Sequence, residues 1–170
     1  MEINLPELLA LSLPTIIMGI VAYYFINLYL KSVKQQQQFQ ALQQRKKEGL
    51  PIKLQAYERM MLFCERINPI KLLLRIQPID TSTEGYLQLV LQNIEQEFEH
   101  NAVQQLYISE NSWNIIITAK TAVINQLNQT AKKSSDAADL RKQLLQQYES
   151  KEPPTEAAIS FIKNEVRKLI

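Results

Sequence analysis

The sequence predicts an all-α protein: one N-terminal transmembrane helix, a helical stalk, then a compact bundle of about five helices. Three observations lead there. Between Glu7 and Lys31 lie 23 consecutive residues without a charge. After residue 50, apolar residues recur at spacings of three and four rather than in alternating runs, which is the helical period. Only three glycines occur in 170 residues, which favours helices over a sheet. With 46% hydrophobic and 21% charged residues, the chain has the composition of a folded protein rather than a disordered one.

The uncharged run, LLALSLPTIIMGIVAYYFINLYL, is the first element. At about 1.5 Å per residue it is roughly 35 Å long, enough to cross a hydrocarbon core about 30 Å thick. Tyr23, Tyr24 and Tyr29 crowd its C-terminal end, where amphipathic rings favour the membrane interface. Pro14 and Gly19 are costly inside a soluble helix but frequent in membrane helices. A cleaved signal is not expected: the leading residues carry Glu2 and Glu7 and no basic group, and bulky residues stand where a cleavage site needs small ones.

Charge sets the expected orientation. The N-terminal flank has no Lys or Arg, whereas Lys31, Lys34, Arg45, Lys46 and Lys47 follow the run closely. The positive-inside bias therefore predicts the N-terminus outside and the C-terminal domain in the cytoplasm. The three tyrosines and five basic residues are the expected membrane-interface residues. Lone Cys64 excludes an intramolecular disulfide and agrees with a reducing compartment.

Three segments follow: the flank and span at 1–30, a basic glutamine-rich stalk at 31–49, and a helical domain at 50–170. The stalk, KSVKQQQQFQALQQRKKE, is made of good helix formers. Its thin stripe of Val33, Phe39 and Leu42 leaves two readings open: a short coiled coil with a second copy or partner, or a solvated helix near anionic headgroups. Gly49 and Pro51 are expected to end it, with a helix resuming near Ile52.

Within the domain, Ala56, Tyr57, Met60, Met61, Phe63, Cys64 and Ile67 form one broad face, with Glu58, Arg59, Glu65 and Arg66 opposite. Asn68-Pro69 ends that helix. Residues 70–74 read as a short helical turn, with a strand as the alternative for LLLRI at 72–76. Thr81 and Glu84 fit a capping box, and the next helix buries Leu87, Val90, Leu91, Ile94, Phe98 and Ala102. Ser109 is placed to cap a helix that presents Trp113, Ile116, Ile117, Val123, Ile124 and Leu127. Ser135-Asp136 opens a shorter one with Leu140, Leu144 and Tyr148. After Pro153-Pro154, a last helix carries Ala158, Ile159, Ile162, Val166 and Leu169.

No catalytic, cofactor-binding or metal-binding residue is assigned, and no enzyme is expected. Glu97 and His100 form Glu-x-x-His, whose i and i+3 side chains point one way and serve di-iron bundles. Those sites need the motif twice, and the chain has a single histidine. A helix-surface or interhelix hydrogen-bonding histidine is expected instead. Cys64 lies within the apolar stripe and reads as a small buried hydrophobe. Trp113 reads as a core anchor. Glycine-rich phosphate loops are missing. The acidic run Glu95, Glu97 and Glu99 opposes nucleic-acid binding.

Two stretches, LQAYERMMLFCERINPIKLLLRI and EFEHNAVQQLYISENSW, together with the leading apolar helix, resemble an uncharacterised family of small single-pass membrane proteins of Bacteroidota. The resemblance covers most of the chain and implies the architecture and an inner-membrane location, without an activity. In outline the span and stalk are also similar to the membrane-anchored stator subunit of rotary ATP synthases. The expected break at Gly49 and Pro51 sets the chain apart from that family's single long helix. The expected role is thus a membrane-anchored interaction or adaptor protein, whose partners are the lipid bilayer and an unidentified protein. The alternatives are an accessory subunit of a larger membrane complex and an enzyme with an unrecognised site.

Overall fold

A computed structural model describes the backbone of residues 5–170 and the side chains of residues 13–170 other than Arg45 and Lys46. The described residues form six α-helices and no strand: α1 (Leu5–Arg66), α2 (Pro69–Arg75), α3 (Thr83–Asn101), α4 (Glu110–Ala131), α5 (Ala137–Gln147) and α6 (Pro154–Leu169), with a 3-10 turn at Ala102–Leu106 after α3. The chain divides into two units between Glu48 and Gly49.

The described residues of the first unit, 5–48, are helix alone. Its described apolar side chains are uncovered: Leu13, Met18, Phe25 and Leu30 are all exposed. The most apolar window of α1 has mean hydropathy 1.7 with none of it buried, so this helix is long and apolar enough to cross a membrane.

Helix α1 does not break at Gly49 and Pro51, which corrects the expected end of the stalk. The contrast with stator subunits that rested on that break falls with it. Gly49 has no positive φ, the conformation that would stop a helix. Pro51 removes one donor and costs about 3 kcal/mol relative to alanine. Strong helix formers on one side, and the core-forming face from Ala56 to Ile67 on the other, outweigh that local penalty.

In the second unit the core is continuous across all six helices. Met60, Phe63 and Cys64 of α1 and Ile67 just after it are fully buried, as are Leu72 and Leu73, Ile94, Ile116, Leu144 and Ile159 from α2 to α6. Each such aliphatic or aromatic side chain contributes about 1.5–3 kcal/mol. Most of the expected stripe residues face this core, with Met61, Leu91, Phe98, Trp113, Ile124, Val166 and Leu169 partly buried at its margin; Ala102 and Ile117 do not join it, Ala102 falling in the 3-10 turn after α3.

Local chemistry sets the helix starts. Asn68 caps α2, its Oδ1 accepting from the backbone N–H of Ile70 and Lys71, and the ambiguous LLLRI stretch is helical up to Arg75, with Ile76 extended after it. Ser109 caps α4 by accepting from Ser112 N at 3.2 Å, and Asp136 caps α5 by accepting from Asp139 N at 2.8 Å. Pro154 occupies the first turn of α6, where its missing N–H costs nothing.

The expected capping box is corrected. Ser82, not Thr81, caps α3, accepting from Gly85 N at 3.1 Å. Thr81 instead accepts from Ala137 N through its carbonyl at 3.1 Å, and the Glu84 carboxylate accepts from Gln88. Two further long-range bonds tie the α2–α3 connection down. Tyr86 Oη donates to Ile76 O at 2.8 Å, and Arg141 Nε donates to Leu73 O at 2.9 Å.

Candidate functional site

The second unit carries an apolar groove between the last turns of α1 and α6. Its volume is about 380 Å³, and Leu54, Tyr57 and Met61 line one side while Ile162 and Val166 line the other. Glu58 stands on the α1 rim and Lys163 and Arg167 on the α6 rim. All three are exposed, and none makes an ion pair among the described residues.

Two sets of contacts fix the relative direction of the walls. At one end, Asn68 Nδ2 donates to Glu156 Oε1 at 3.4 Å. At the other, Tyr57 Oη accepts from Ser109 N at 3.1 Å, and Ser109 Oγ donates to Glu165 Oε2 at 3.5 Å. Position 68 thus lies by 156 and position 57 by 165, so the walls run antiparallel.

Tyr57 joins the groove to a small polar cluster. Besides the Ser109 amide, its oxygen accepts from Ser112 Oγ at 3.5 Å, and Ser109 Oγ lies 2.8 Å from Ser112 Oγ. Burial and the nearby Glu165 charge push the Tyr57 phenol up. The donors from Ser109 and Ser112 outweigh them and hold it below its ordinary value. Ser109 and Ser112 are three apart at a helix start, which is visible in sequence. Their convergence on Tyr57 from 52 residues earlier is not.

A second depression, about 190 Å³, is lined by Arg59, Leu62, Arg66, Glu97, His100 and Asn101. Arg66 Nη1 donates to both oxygens of Glu97 at 2.9 Å, so the Glu97 carboxylate faces a guanidinium. His100 is exposed on the helix surface. Among the described residues, no three His, Cys, Asp or Glu side chains converge to hold a metal ion. The Phe63, Phe98 and Trp113 rings follow one another at 5.9 and 5.7 Å between centroids, each pair tilted. Lys120 lies 3.9 Å from the Phe98 centroid and bonds Glu95 at 2.6 Å. Trp113 is an anchor at the core margin.

Cys64 is fully buried. Burial, helped by the Glu65 charge, pushes its thiol up to about 12, so it holds its proton and packs as a hydrophobe.

Of the expected membrane-interface residues, Tyr23, Tyr24 and Tyr29 are exposed, and Tyr24 meets Phe25 edge-on at 6.4 Å. Lys31, Lys34 and Lys47 are exposed. Arg45 and Lys46 lie outside the described side chains. Lys31 and Arg45 are 14 residues apart on one helix, about 21 Å along its axis. The basic residues thus form two groups rather than one patch. Glu58, Lys163 and Arg167 had no distinguishing sequence signal, because charges on an outer helix face look alike until the neighbouring helix is in place.

No curated protein and no solved structure matches this chain. A family model does match it, over residues 3–169. The chain therefore belongs to the family of unknown function DUF7935.

Proposed function

We propose that this is a membrane-anchored helical interaction protein of the bacterial inner membrane. Residues 8–30 cross the bilayer, the N-terminus lies outside, and the second unit holds a protein partner at the cytoplasmic face. The observation that carries the reading is the uncovered first unit, whose apolar side chains from Leu13 to Leu30 are all exposed. In water that surface would forfeit about 25 cal/mol per Å²; in lipid it is matched. The five-to-zero distribution of Lys and Arg across the span supports that orientation. The resemblance to single-pass proteins of Bacteroidota supports the same placement. Lys31 and Lys34 sit at the headgroups, whereas Arg45, Lys46 and Lys47 stand beyond the roughly 8–10 Å over which salt leaves surface charge effective.

The second unit acts by binding rather than by chemistry in this reading. Glu97 is engaged by Arg66, Cys64 is buried with its proton held, and the larger depression is apolar with charged rims, the form of a helix-docking groove. An accessory-subunit role is the second reading. It is favoured by Thr15, Gly19 and Ala22, which recur at helical spacing on one face of the span, as at close helix contacts in membranes.

Alkaline carbonate extraction of bacterial membranes and protease treatment of intact spheroplasts test the reading together. The protein should stay with the membrane pellet, and the second unit should resist external protease. Release by carbonate would overturn the anchor, and digestion from outside would overturn the orientation.

A further inference from the structure

We infer that the α1–α6 groove is the contact surface for a second copy of the same chain, paired about a two-fold axis that runs along the groove. This deepens the interaction reading above and rests on it. The argument begins with the antiparallel register. Positions facing one another across the groove sum to about 222–224, since 57 lies by 165 and 68 by 156. Glu58 therefore stands level with about position 165, with Lys163 and Arg167 two residues to either side, within roughly 3 Å of its height.

A two-fold axis parallel to both walls keeps every residue at its own height and carries each wall to the opposite side. The α1 rim of one copy then faces the α6 rim of the other. Glu58 meets the partner's Lys163 and Arg167, and the same contact is made again on the far side, as an isologous interface requires. The rims are thus self-complementary in charge, negative on one wall and positive on the other at matching heights. Between them, Leu54 and Met61 of one copy face the α6 wall of the other, which carries Val166; all three are partly exposed, and they close an apolar centre inside a polar rim. A uniformly acidic partner would satisfy Lys163 and Arg167 but leave Glu58 against like charge. Tethering in one bilayer raises the effective concentration of copies and favours such pairing.

The test uses the full chain in bacterial membranes. Two differently tagged copies are co-expressed, one carrying Glu58→Cys and the other Lys163→Cys, and treated with a short bis-maleimide. Cys64, buried and protonated, is a poor competitor. A product carrying both tags is expected. A second series uses full chains without the cysteine substitutions. There, association of tagged full chains is measured by co-purification from detergent. Glu58→Lys should weaken it about tenfold, the effect of replacing an attractive contact by a repulsive one. Glu58→Lys combined with Lys163→Glu and Arg167→Glu should restore it. Trp113 emission checks that each variant is folded.

Absence of the two-tag product, or association indifferent to both the single reversal and the full swap, would overturn the inference. Capture of a different protein at the groove in place of a second copy would overturn it too, while leaving the interaction reading intact. Carbonate extraction of the same membranes reports the anchor separately, so loss of anchoring and loss of pairing are distinguished.

Discussion

The Tyr148 hydroxyl offers two independent readouts of one side chain. Tyr148 is 6% exposed, and its oxygen is buried without a hydrogen-bond partner. Burial pushes the phenol up to about 12. Tyr148→Phe keeps the ring and removes only the oxygen. An unpartnered buried hydroxyl costs about 1–3 kcal/mol, and the variant sheds that cost at the small penalty of a void the size of one atom. A gain of about 1 kcal/mol at pH 7 is expected, or about 3–5 °C in Tm for a folded unit of this size. The alkaline limb gives the second readout. The folded-state pKa is raised above the unfolded value of 10.0, so between about pH 10 and 12 the unfolded chain releases this proton and the folded one does not. Stability from this group is fully present below pH 10 and is lost as pH rises to 12. Solvent screening holds the loss to about 1–2 kcal/mol. Unfolding of the full chain in detergent micelles, followed by the emission of its single tryptophan, measures both quantities. A less stable variant at pH 7, or an alkaline slope equal to wild type, would refute the assignment of an unpartnered, proton-holding hydroxyl.

Three other outcomes are expected. Tyr57→Phe deprives the Ser109 amide and the Ser112 hydroxyl of their acceptor and should cost about 1–2 kcal/mol in denaturant unfolding. His100→Ala should change stability by less than about 0.5 kcal/mol, because the ring is exposed, and elemental analysis should show the same metal content in both proteins. A fragment beginning at Leu50 should be soluble and strongly helical by circular dichroism and should unfold in one cooperative transition. A disordered fragment would mean that the core between Ala56 and Ile162 needs the preceding helix or a partner.

Much of the fold was legible because its signals are local. Ser109 and Asp136 each satisfy a backbone donor three residues ahead, so the residue type and its place before an apolar stripe are enough to mark a helix start; Asn68 caps α2 in the same way but reads in sequence only as the end of the helix before it. The 3.6-residue period likewise names the buried face of each helix without reference to its neighbour. The uncharged run at 8–30 is a property of composition and length alone.

Tertiary structure decided what local rules leave balanced or cannot see. Thr81 and Ser82 are both capping residues; a contact from Ala137 to the Thr81 carbonyl accompanies the choice of Ser82. Gly49 and Pro51 weaken a helix by a few kcal/mol, and the core contacts of Ala56 to Ile67 override them, so a 62-residue α1 replaces the expected two helices. The groove lies beyond sequence altogether. It exists because Tyr57, Ser109 and Glu165, far apart in the chain, meet and set α1 against α6, leaving Glu58, Lys163 and Arg167 on its rims. Periodicity determines which face of a helix seeks burial; only the packing of all six helices determines which part of that face is left uncovered.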